Sequence, residues 1–302
     1  MREPAARPDR NDPTRTMSIA PFTTEFPWPA PAKLNLFLHV TGRRADGYHE
    51  LQTLFQFLDY GDSLFFEPRG DGVVQRQNAL PGIAPEEDLA VRAAKLLGKL
   101  SGANLGADIR IEKHIPLGGG LGGGSSNAAT TLVALNRLWN LGFTTAELAE
   151  IGLKLGADVP VFVRGLASWA EGVGDKLSPV EIPEPWYLVV TPPVSVSTRE
   201  IFNRPELRRD CPRITLDDHL AGRSTNVCEP VTTALHPPVK AVLDWARAHG
   251  GARMSGTGAS VFIPFLERAE AIRLRQQVPE GCKSFVARGL NRSPLTAIMR
   301  GM

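Results

Sequence analysis

The sequence predicts an α+β protein with two domains. Strand-like and helix-like segments alternate along most of the 302 residues, a length that buries a large core and divides into two domains. A dense glycine cluster leads into a helix in the first half, and a second cluster precedes a strand in the second half. The proline-rich stretch 179–185 between them is typical of a crossing between domains. We therefore predict domains at 29–175 and 176–302, after a tail of residues 1–28.

Composition and charge exclude several classes of protein. The chain has 42% hydrophobic and 22% charged residues and a net charge of +2, which indicates an ordinary soluble protein without a nucleic-acid surface. No apolar run reaches the roughly 18–20 residues of a membrane span. The three cysteines are scattered and odd in number, as expected for reduced thiols. We therefore predict a cytoplasmic monomer or homodimer with no membrane or nucleic-acid partner.

Residues 1–28 are rich in proline, arginine and aspartate and have no apolar periodicity. They lack the hydrophobic segment of a secretory signal, and Glu3, Asp9 and Asp12 are atypical of a transit peptide. We expect a disordered tail without a chemical role, with Met17 as an alternative start of the protein.

The first predicted strand is Pro31–Val40, PAKLNLFLHV. Aliphatic residues alternate with others at the period of a half-buried strand, which places Lys33, Asn35 and His39 together on one face. An edge strand with a solvated polar face explains the same pattern. The Asp-Gly pair at 46–47 then gives a strong turn signal.

Tyr48 and His49 follow this turn, at the start of an apolar run from Leu51 to Leu58. An aromatic ring beside an imidazole can stack on and hydrogen-bond a heterocyclic base, but it can equally pack the turn. The following segments are predicted as a strand at Gly61–Pro68, a loop at Gly70–Pro85, a helix at Asp88–Leu100 and a strand at Ala107–Ile111.

A glycine-rich stretch, PLGGGLGGGSSNAA, occupies Pro116–Ala129 and leads into a helix predicted at Ala128–Trp139. Ser125, Ser126 and Asn127 are residue types that cap helix N-termini. Such a loop points unpaired N–H groups and the positive end of a helix dipole at one place, which suits phosphate. Without a lysine between the glycines and Ser125 it is no Walker A loop, and it fits a dinucleotide-binding loop poorly. A flexible surface loop is the alternative.

A helix predicted at Thr144–Leu155, capped by Thr144 or Thr145, precedes Asp158. An aspartate in a Gly-Ala-Asp turn is more often a turn former than a catalyst. The remaining elements are predicted as strands at Val161–Val163, Trp186–Thr191 and Ser284–Ala287 and helices at Pro238–His249 and Glu267–Gln277, whereas 203–236 is uninformative.

Three stretches carry a resemblance to the GHMP kinase superfamily. PLGGGLGGGSSNAA resembles its central phosphate-binding motif, and SGTGAS at Ser255–Ser260 resembles its third motif. PAKLNLFLHVTGRRADGYHEL, at Pro31–Leu51, is very similar to the opening signature of its 4-diphosphocytidyl-2-C-methylerythritol kinases. The resemblance extends from Pro31 to about Pro294. It implies the two-domain GHMP kinase fold, with the active site in the cleft between the domains.

The resemblance implies transfer of the γ-phosphoryl group of ATP to the 2-hydroxyl of 4-diphosphocytidyl-2-C-methylerythritol, in the non-mevalonate route to isoprenoids. It gives Asp158 the role of general base, which typically contributes about 10²–10⁴-fold to the rate. It places Lys33 beside that carboxylate, where the ammonium keeps it charged and favours the forming alkoxide. It also implies a Mg²⁺ ion on the phosphates, for which the sequence identifies no protein ligand.

The same resemblance assigns the other site residues by motif. The implied ATP-binding residues are Pro116, Leu117, Gly118, Gly119, Gly120, Leu121, Gly122, Gly123, Gly124, Ser125, Ser126, Gly256, Thr257 and Gly258. The implied substrate-binding residues are Asn35, Tyr48, His49, Trp169, Val173, Thr198 and Phe202. Phe202 is expected to stack on the cytosine opposite Tyr48, with a core phenylalanine on a helix as the alternative.

Three other functions stay open at this point. A GHMP kinase for another small alcohol, such as mevalonate or homoserine, has no use for the base-stacking residues Tyr48 and His49. A nucleotide-binding sensor that has lost turnover does not explain an intact Lys33 and Asp158. A decarboxylase of the same fold releases carbon dioxide rather than ADP.

Overall fold

The structure is a computed structural model that describes residues 26–45 and 47–300, and it forms an α+β fold around one mixed sheet. Residues 1–25 of the predicted tail and Asp46 of the predicted turn lie outside the described residues. The tail was predicted to reach residue 28, but the first strand begins at Trp28, whose side chain is buried. Within the described ranges, no helix is both long enough and apolar enough to cross a bilayer.

Strands and helices alternate along both halves of the chain. The first half contains β1 (Trp28–Arg43), β2 (His49–Arg69), β3 (Val74–Arg76), α1 (Leu89–Ser101), β4 (Gly106–Glu112), α2 (Gly123–Leu138), α3 (Thr145–Leu153), α4 (Val159–Arg164), β5 (Ser168–Gly172) and β6 (Lys176–Pro179). The second half contains β7 (Trp186–Thr191), α5 (Thr198–Asn203), α6 (Leu216–Leu220), α7 (Cys228–Leu235), α8 (Pro237–Arg247), β8 (Arg253–Met254), β9 (Val261–Phe265), α9 (Arg268–Arg275), β10 (Lys283–Leu290) and α10 (Pro294–Arg300).

The described strands form one sheet that runs through both halves of the chain. Its main path is β3-β4-β2-β10-β7-β9-β8, while β1 and β5 also pair with β2, and β6 pairs with β5. The two halves join where Leu58 and Phe57 of β2 face Gly289 and Leu290 of β10. The β5–β6 hairpin spans the predicted domain boundary at 175/176, and that boundary stays a prediction.

Helices cover the sheet through separate apolar cores. In the first half, Leu132 of α2 packs in one core with Phe57 of β2 and Ile109 of β4, and all three side chains are fully buried. In the second half, α8 packs on β7 and β9 through Leu243, Val190 and Ile263. Each such side chain contributes roughly 1.5–3 kcal/mol when it leaves water, so each core can hold its own strands and helices together.

The strand predicted at Val161–Val163 is wrong, because α4 occupies Val159–Arg164. A run of three apolar residues fits a helix or a strand equally well, so periodicity could not decide between them. Pro160 lies in the first turn of α4, where a missing N–H breaks no hydrogen bond of the helix. As a result, Asp158 is the N-cap residue of a helix.

The start of α2 also differs from the prediction. The helix begins at Gly123 rather than Ala128, so Ser125 and Ser126 lie in its first turn instead of capping it. Gly122 is the N-cap residue in the left-handed conformation, and no side chain caps the helix. The glycines therefore form the helix start themselves. By contrast, Thr144, one of the two predicted caps, does cap α3, and it forms a capping box with Glu147.

Strand β2 is continuous over 21 residues and joins the apolar run at Leu51–Leu58 to the strand predicted at Gly61–Pro68. At Gly61 a Cβ atom would lie 2.4 Å from the carbonyl oxygen of Ala30, so glycine lets β1 pass closely without breaking β2. The short strand β3 lies within the loop predicted at Gly70–Pro85. Strand β7 has the predicted bounds.

Irregular pairing in β1 changes which side chains share a face. The register with β2 shifts between Asn35 and Leu38, so Leu38 rather than Phe37 joins Asn35 on the cavity side. The side chain of His39 lies elsewhere, with Nδ1 3.4 Å from the carbonyl oxygen of Pro212. The prediction that His39 shares a face with Lys33 and Asn35 is therefore wrong. Strand β1 is also buried on both faces rather than half-buried.

Candidate active site

One cavity of about 310 Å³ lies between residues from the two halves of the chain. The predicted site residues that line it are Lys33, Asn35, Pro116–Ser125, Asp158, Val173, Thr198, Phe202, Gly256 and Thr257. Those that do not line it are Tyr48, His49, Ser126, Trp169 and Gly258. Segments far apart in the sequence therefore converge on one site.

Lys33 lines this cavity from β1, and its side chain is only 4% exposed. Its Nζ donates to Oδ1 of Asn35 and to the carbonyl oxygen of Gly120, the latter at 3.0 Å. The same Nζ is 3.3 Å from Oδ2 of Asp158. A buried ammonium with these three acceptors is held in place beside the cavity.

Asp158 approaches the ammonium from the start of α4. As the N-cap residue it accepts no hydrogen bond from the helix N–H groups, so its carboxylate is not committed to capping. Its side chain is 34% exposed, towards the cavity that it lines. The pair therefore offers a carboxylate that can accept a proton and an ammonium that can stabilise an oxyanion.

Asn35 is oriented by a hydrogen-bond chain behind the cavity. Its Nδ2 donates to Oγ1 of Thr53 at 3.0 Å, and Thr53 donates in turn to the carbonyl oxygen of Phe37. This chain leaves Oδ1 of Asn35 facing Lys33. Asn35 therefore acts on the ammonium, although the resemblance places it with the substrate.

The glycine loop wraps the opposite wall of the cavity. Gly120 has a φ of 73°, and a Cβ atom there would lie 2.4 Å from the carbonyl oxygen of Ser255. Only glycine allows this approach. Beyond it, the N–H groups at the start of α2 have no partner inside the helix and face the cavity, where Ser125 lies. The hydroxyl of Ser126 is buried without a hydrogen-bond partner.

The third motif docks directly on the glycine loop. The N–H of Ser260 donates to the carbonyl oxygen of Gly119 at 3.0 Å. The hydroxyl of Ser255 donates to the carbonyl oxygen of Gly120, also at 3.0 Å. Asn226 supports the motif from behind, because its Nδ2 donates to the carbonyl oxygens of Met254 and Gly256. Sequence reasoning missed Asn226, which lies in the segment that gave no clear prediction.

A second missed residue, Asp62, anchors the start of the glycine loop. Its side chain is fully buried, and its Oδ1 accepts from the N–H groups of His114 and Ile115 at 2.8 and 2.9 Å. Its Oδ2 forms an ion pair with Lys113, which lines the cavity. Turning the side-chain amide of Asn127 lets its nitrogen donate to Asp62 as well. No local sequence signal links Asp62 to a loop about fifty residues later.

The second half of the chain supplies the far wall. Thr198 and Phe202 belong to α5, and the hydroxyl of Thr198 is 3.1 Å from that of Thr257 in the third motif. His49 lies outside the cavity lining but stacks on Phe202, with ring centroids 5.3 Å apart. Tyr48 is 65% exposed. In this structure the two predicted stacking partners, Tyr48 and Phe202, therefore do not enclose a slot.

Trp169 packs away from the cavity, with its ring centroid 5.1 Å from that of Phe37. Among the described residues, no group of three or more His, Cys, Asp or Glu side chains could hold a metal ion. Asp158 is the only carboxylate that lines the cavity within those ranges. Such a sparse set suits an ion held mainly by phosphate oxygens and water.

Comparison with known proteins identifies the family. The GHMP kinases N terminal domain matches residues 88–166, and the GHMP kinases C terminal domain matches residues 208–284. A protein of Nitrosococcus oceani named 4-diphosphocytidyl-2-C-methyl-D-erythritol kinase is 56% identical to this chain, over 89% of this chain and 96% of that protein. A protein of Halorhodospira halophila with the same name is 55% identical, over 89% of this chain and 94% of that protein. A crystal structure of 4-(cytidine 5'-diphospho)-2C-methyl-D-erythritol kinase superposes with a TM-score of 0.76 at 34% identity, covering 87% of this chain and 99% of that one. The chain belongs to the 4-diphosphocytidyl-2-C-methyl-D-erythritol kinase family of the GHMP kinases.

Proposed function

We propose that the chain transfers the γ-phosphoryl group of ATP to the 2-hydroxyl of 4-diphosphocytidyl-2-C-methyl-D-erythritol, in the non-mevalonate route to isoprenoid precursors. The observation that carries this proposal is the Lys33–Asp158 pair, 3.3 Å apart, between a phosphate-type glycine loop and a wall that contains Phe202. Relatives at 53–56% identity share the name of this kinase, so a kinase for mevalonate or homoserine, a sensor and a decarboxylase are not favoured.

Binding of the triphosphate rests on the glycine loop and the start of α2. The free N–H groups and the helix dipole favour negative charge at that position. The third motif holds the loop in shape through Ser255 and Ser260, so the donors are organised before the nucleotide arrives. Phosphoryl transfer depends mainly on such positioning and charge stabilisation.

The reacting hydroxyl is proposed to lie between Asp158 and Lys33. Asp158 takes its proton as the oxygen attacks the γ-phosphorus, and Lys33 stabilises the negative charge that develops on that oxygen. Asn35 and Gly120 hold the ammonium in place throughout. A bound Mg²⁺ ion would neutralise phosphate charge, and the hydroxyl of Ser125, in the first turn of α2, is the side chain that would hold it.

Release of ADP tests the proposal directly. The purified protein is mixed with Mg-ATP and 4-diphosphocytidyl-2-C-methyl-D-erythritol, and mevalonate, homoserine and galactose are assayed in parallel. We expect turnover on the cytidyl compound alone. Turnover on another alcohol would keep the Lys33–Asp158 chemistry but discard the cytidyl pocket, and ATP binding without any turnover would refute the kinase.

A further inference from the structure

Arg209 joins two elements that are far apart in the sequence. Its Nε donates to Nε2 of His49, 3.0 Å away and 160 residues earlier in the chain. Its Nη2 donates to the carbonyl oxygens of Phe202 and Arg204, at 2.9 and 2.7 Å. Its Nη1 donates to the carbonyl oxygen of Leu207, at 2.9 Å. One guanidinium therefore ties the start of β2 to the end of α5.

The bond to His49 determines how its imidazole is protonated. Arginine has only donors, so Nε2 of His49 must accept, and the neutral ring then carries its hydrogen on Nδ1. Burial, followed by the charges of Arg209 and Arg43, lowers the pKa of His49 below its ordinary value. Close to His49 in the sequence, Nη1 of Arg44 and Oε1 of Glu50 form an ion pair at 3.6 Å. At neutral pH the ring is therefore neutral, with Nδ1–H as its donor.

The same guanidinium fixes the position of a second ring. The rings of His49 and Phe202 stack with an interplanar angle of 30°, and Phe202 lines the active-site cavity. Every acceptor that Arg209 contacts among the described residues is neutral. Its charge is therefore not used in an ion pair there, and its donors serve only to position His49 and the last turn of α5.

We propose that Arg209 is a positioning residue for recognition of the cytidyl group, which holds His49 in its Nδ1-protonated form against the ring of Phe202. This inference rests on the proposed function, under which His49 and Phe202, both assigned by motif to the substrate, contact the base. Without Arg209, His49 is free to change tautomer, take up a proton and turn away from Phe202. The base is then bound less tightly, whereas Lys33 and Asp158 keep their contacts.

Steady-state kinetics test the proposal with Arg209→Met and a matched control, Arg208→Met. Arg208 is the adjacent arginine, with an exposed side chain that pairs with Asp210 at 2.9 Å. We expect R209M to raise KM for the cytidyl substrate roughly 5- to 30-fold, while kcat and KM for ATP change less than about twofold. R208M should match the wild type, and Arg209→Lys, which keeps a donor, should recover part of the loss.

The pH profile adds a readout that a merely structural role would not change. Removing the charge of Arg209 raises the pKa of His49, so KM of R209M should increase as the pH falls from about 7.5 to about 5.5. The wild type should show no such increase. An unchanged KM in R209M, or equal losses in kcat and in ATP binding, would overturn the proposal.

Nitrogen NMR of the imidazoles separates this proposal from the proposed function. The signals of His49 are assigned with the variant His49→Gln. In the full-length wild type, the His49 ring should carry its hydrogen on Nδ1 at pH 7. In R209M, the same ring should titrate at a higher pH. If the wild type phosphorylates the cytidyl compound but carries the hydrogen on Nε2, the Arg209 inference is wrong and the function stands. If the wild type does not use that compound, the function is wrong, and the inference about cytidyl recognition fails with it.

Discussion

Replacing Asp158 by asparagine should lower kcat about 10²–10⁴-fold while leaving the fold intact. Loss of a general base on this scale corresponds to about 2.7–5.5 kcal/mol of transition-state stabilisation. The side chain caps no N–H group of α4, so the start of that helix should not weaken. Asparagine also keeps the size of the residue, and the cavity keeps its shape.

The expected cost in stability is much smaller than the cost in rate. Breaking a fully buried ion pair destabilises by about 3–5 kcal/mol, because one charge is left without a partner. Here Asp158 is a third exposed, and Lys33 keeps Asn35 and the carbonyl oxygen of Gly120 as acceptors. We therefore expect the free energy of unfolding to fall by about 1–2 kcal/mol.

The assay combines ADP release, ATP titration and denaturant unfolding. Asp217→Asn is the matched control, because Asp217 is an exposed aspartate in the first turn of α6. ATP affinity of D158N should stay near that of the wild type. A kcat within about threefold of the wild type would remove Asp158 as the base, and a parallel loss of ATP affinity would assign it to the nucleotide instead.

Three further predictions follow from the site and its surroundings. Tyr48→Ala should raise KM for the cytidyl substrate and spare KM for ATP; a change in ATP binding alone would contradict the cytosine assignment. Asp62→Asn should lower the free energy of unfolding by about 3–5 kcal/mol and raise KM for ATP, because the glycine loop loses its anchor; an unchanged KM for ATP would show that the loop holds itself. Burial, and then the charge of Arg253, lowers the pKa of His219 from 6.5 to about 4. As the pH falls through this range, the unfolded chain therefore binds a proton at this residue before the folded chain does, and the free energy of unfolding decreases. His219→Gln should reduce that slope by up to about 1.4 kcal/mol per pH unit in urea unfolding, and an equal slope in both proteins would contradict it.

Local sequence patterns were sufficient wherever a single segment carries its own signal. The apolar run WYLVVT gave strand β7 its bounds, and the adjacent threonines Thr144 and Thr145 marked the start of α3. The glycine loop indicated unpaired N–H groups because glycine density and a following helix are both local features. Lys33 and Asp158 were named by motif, and the structure brings them within 3.3 Å of each other.

Local patterns failed where the signal was short or ambiguous. Three apolar residues at Val161–Val163 do not distinguish a helix from a strand, and the packing of α4 against α2 and α3 made the choice. The bulge in β1 moves His39 away from Lys33, and an inserted residue leaves no mark on the alternation that predicted the face.

The sequence by itself determined the α+β class, and its motifs indicated the glycine loop and the Lys33–Asp158 pair that we propose for phosphate binding and catalysis. Only the tertiary structure decided how these parts are supported: Asp62 under the glycine loop, Asn226 under the third motif, and Arg209 between His49 and Phe202. The physical reason is distance along the chain. A buried carboxylate or amide stabilises whichever backbone groups the fold brings to it, and nothing in the neighbouring residues of the sequence specifies that partner.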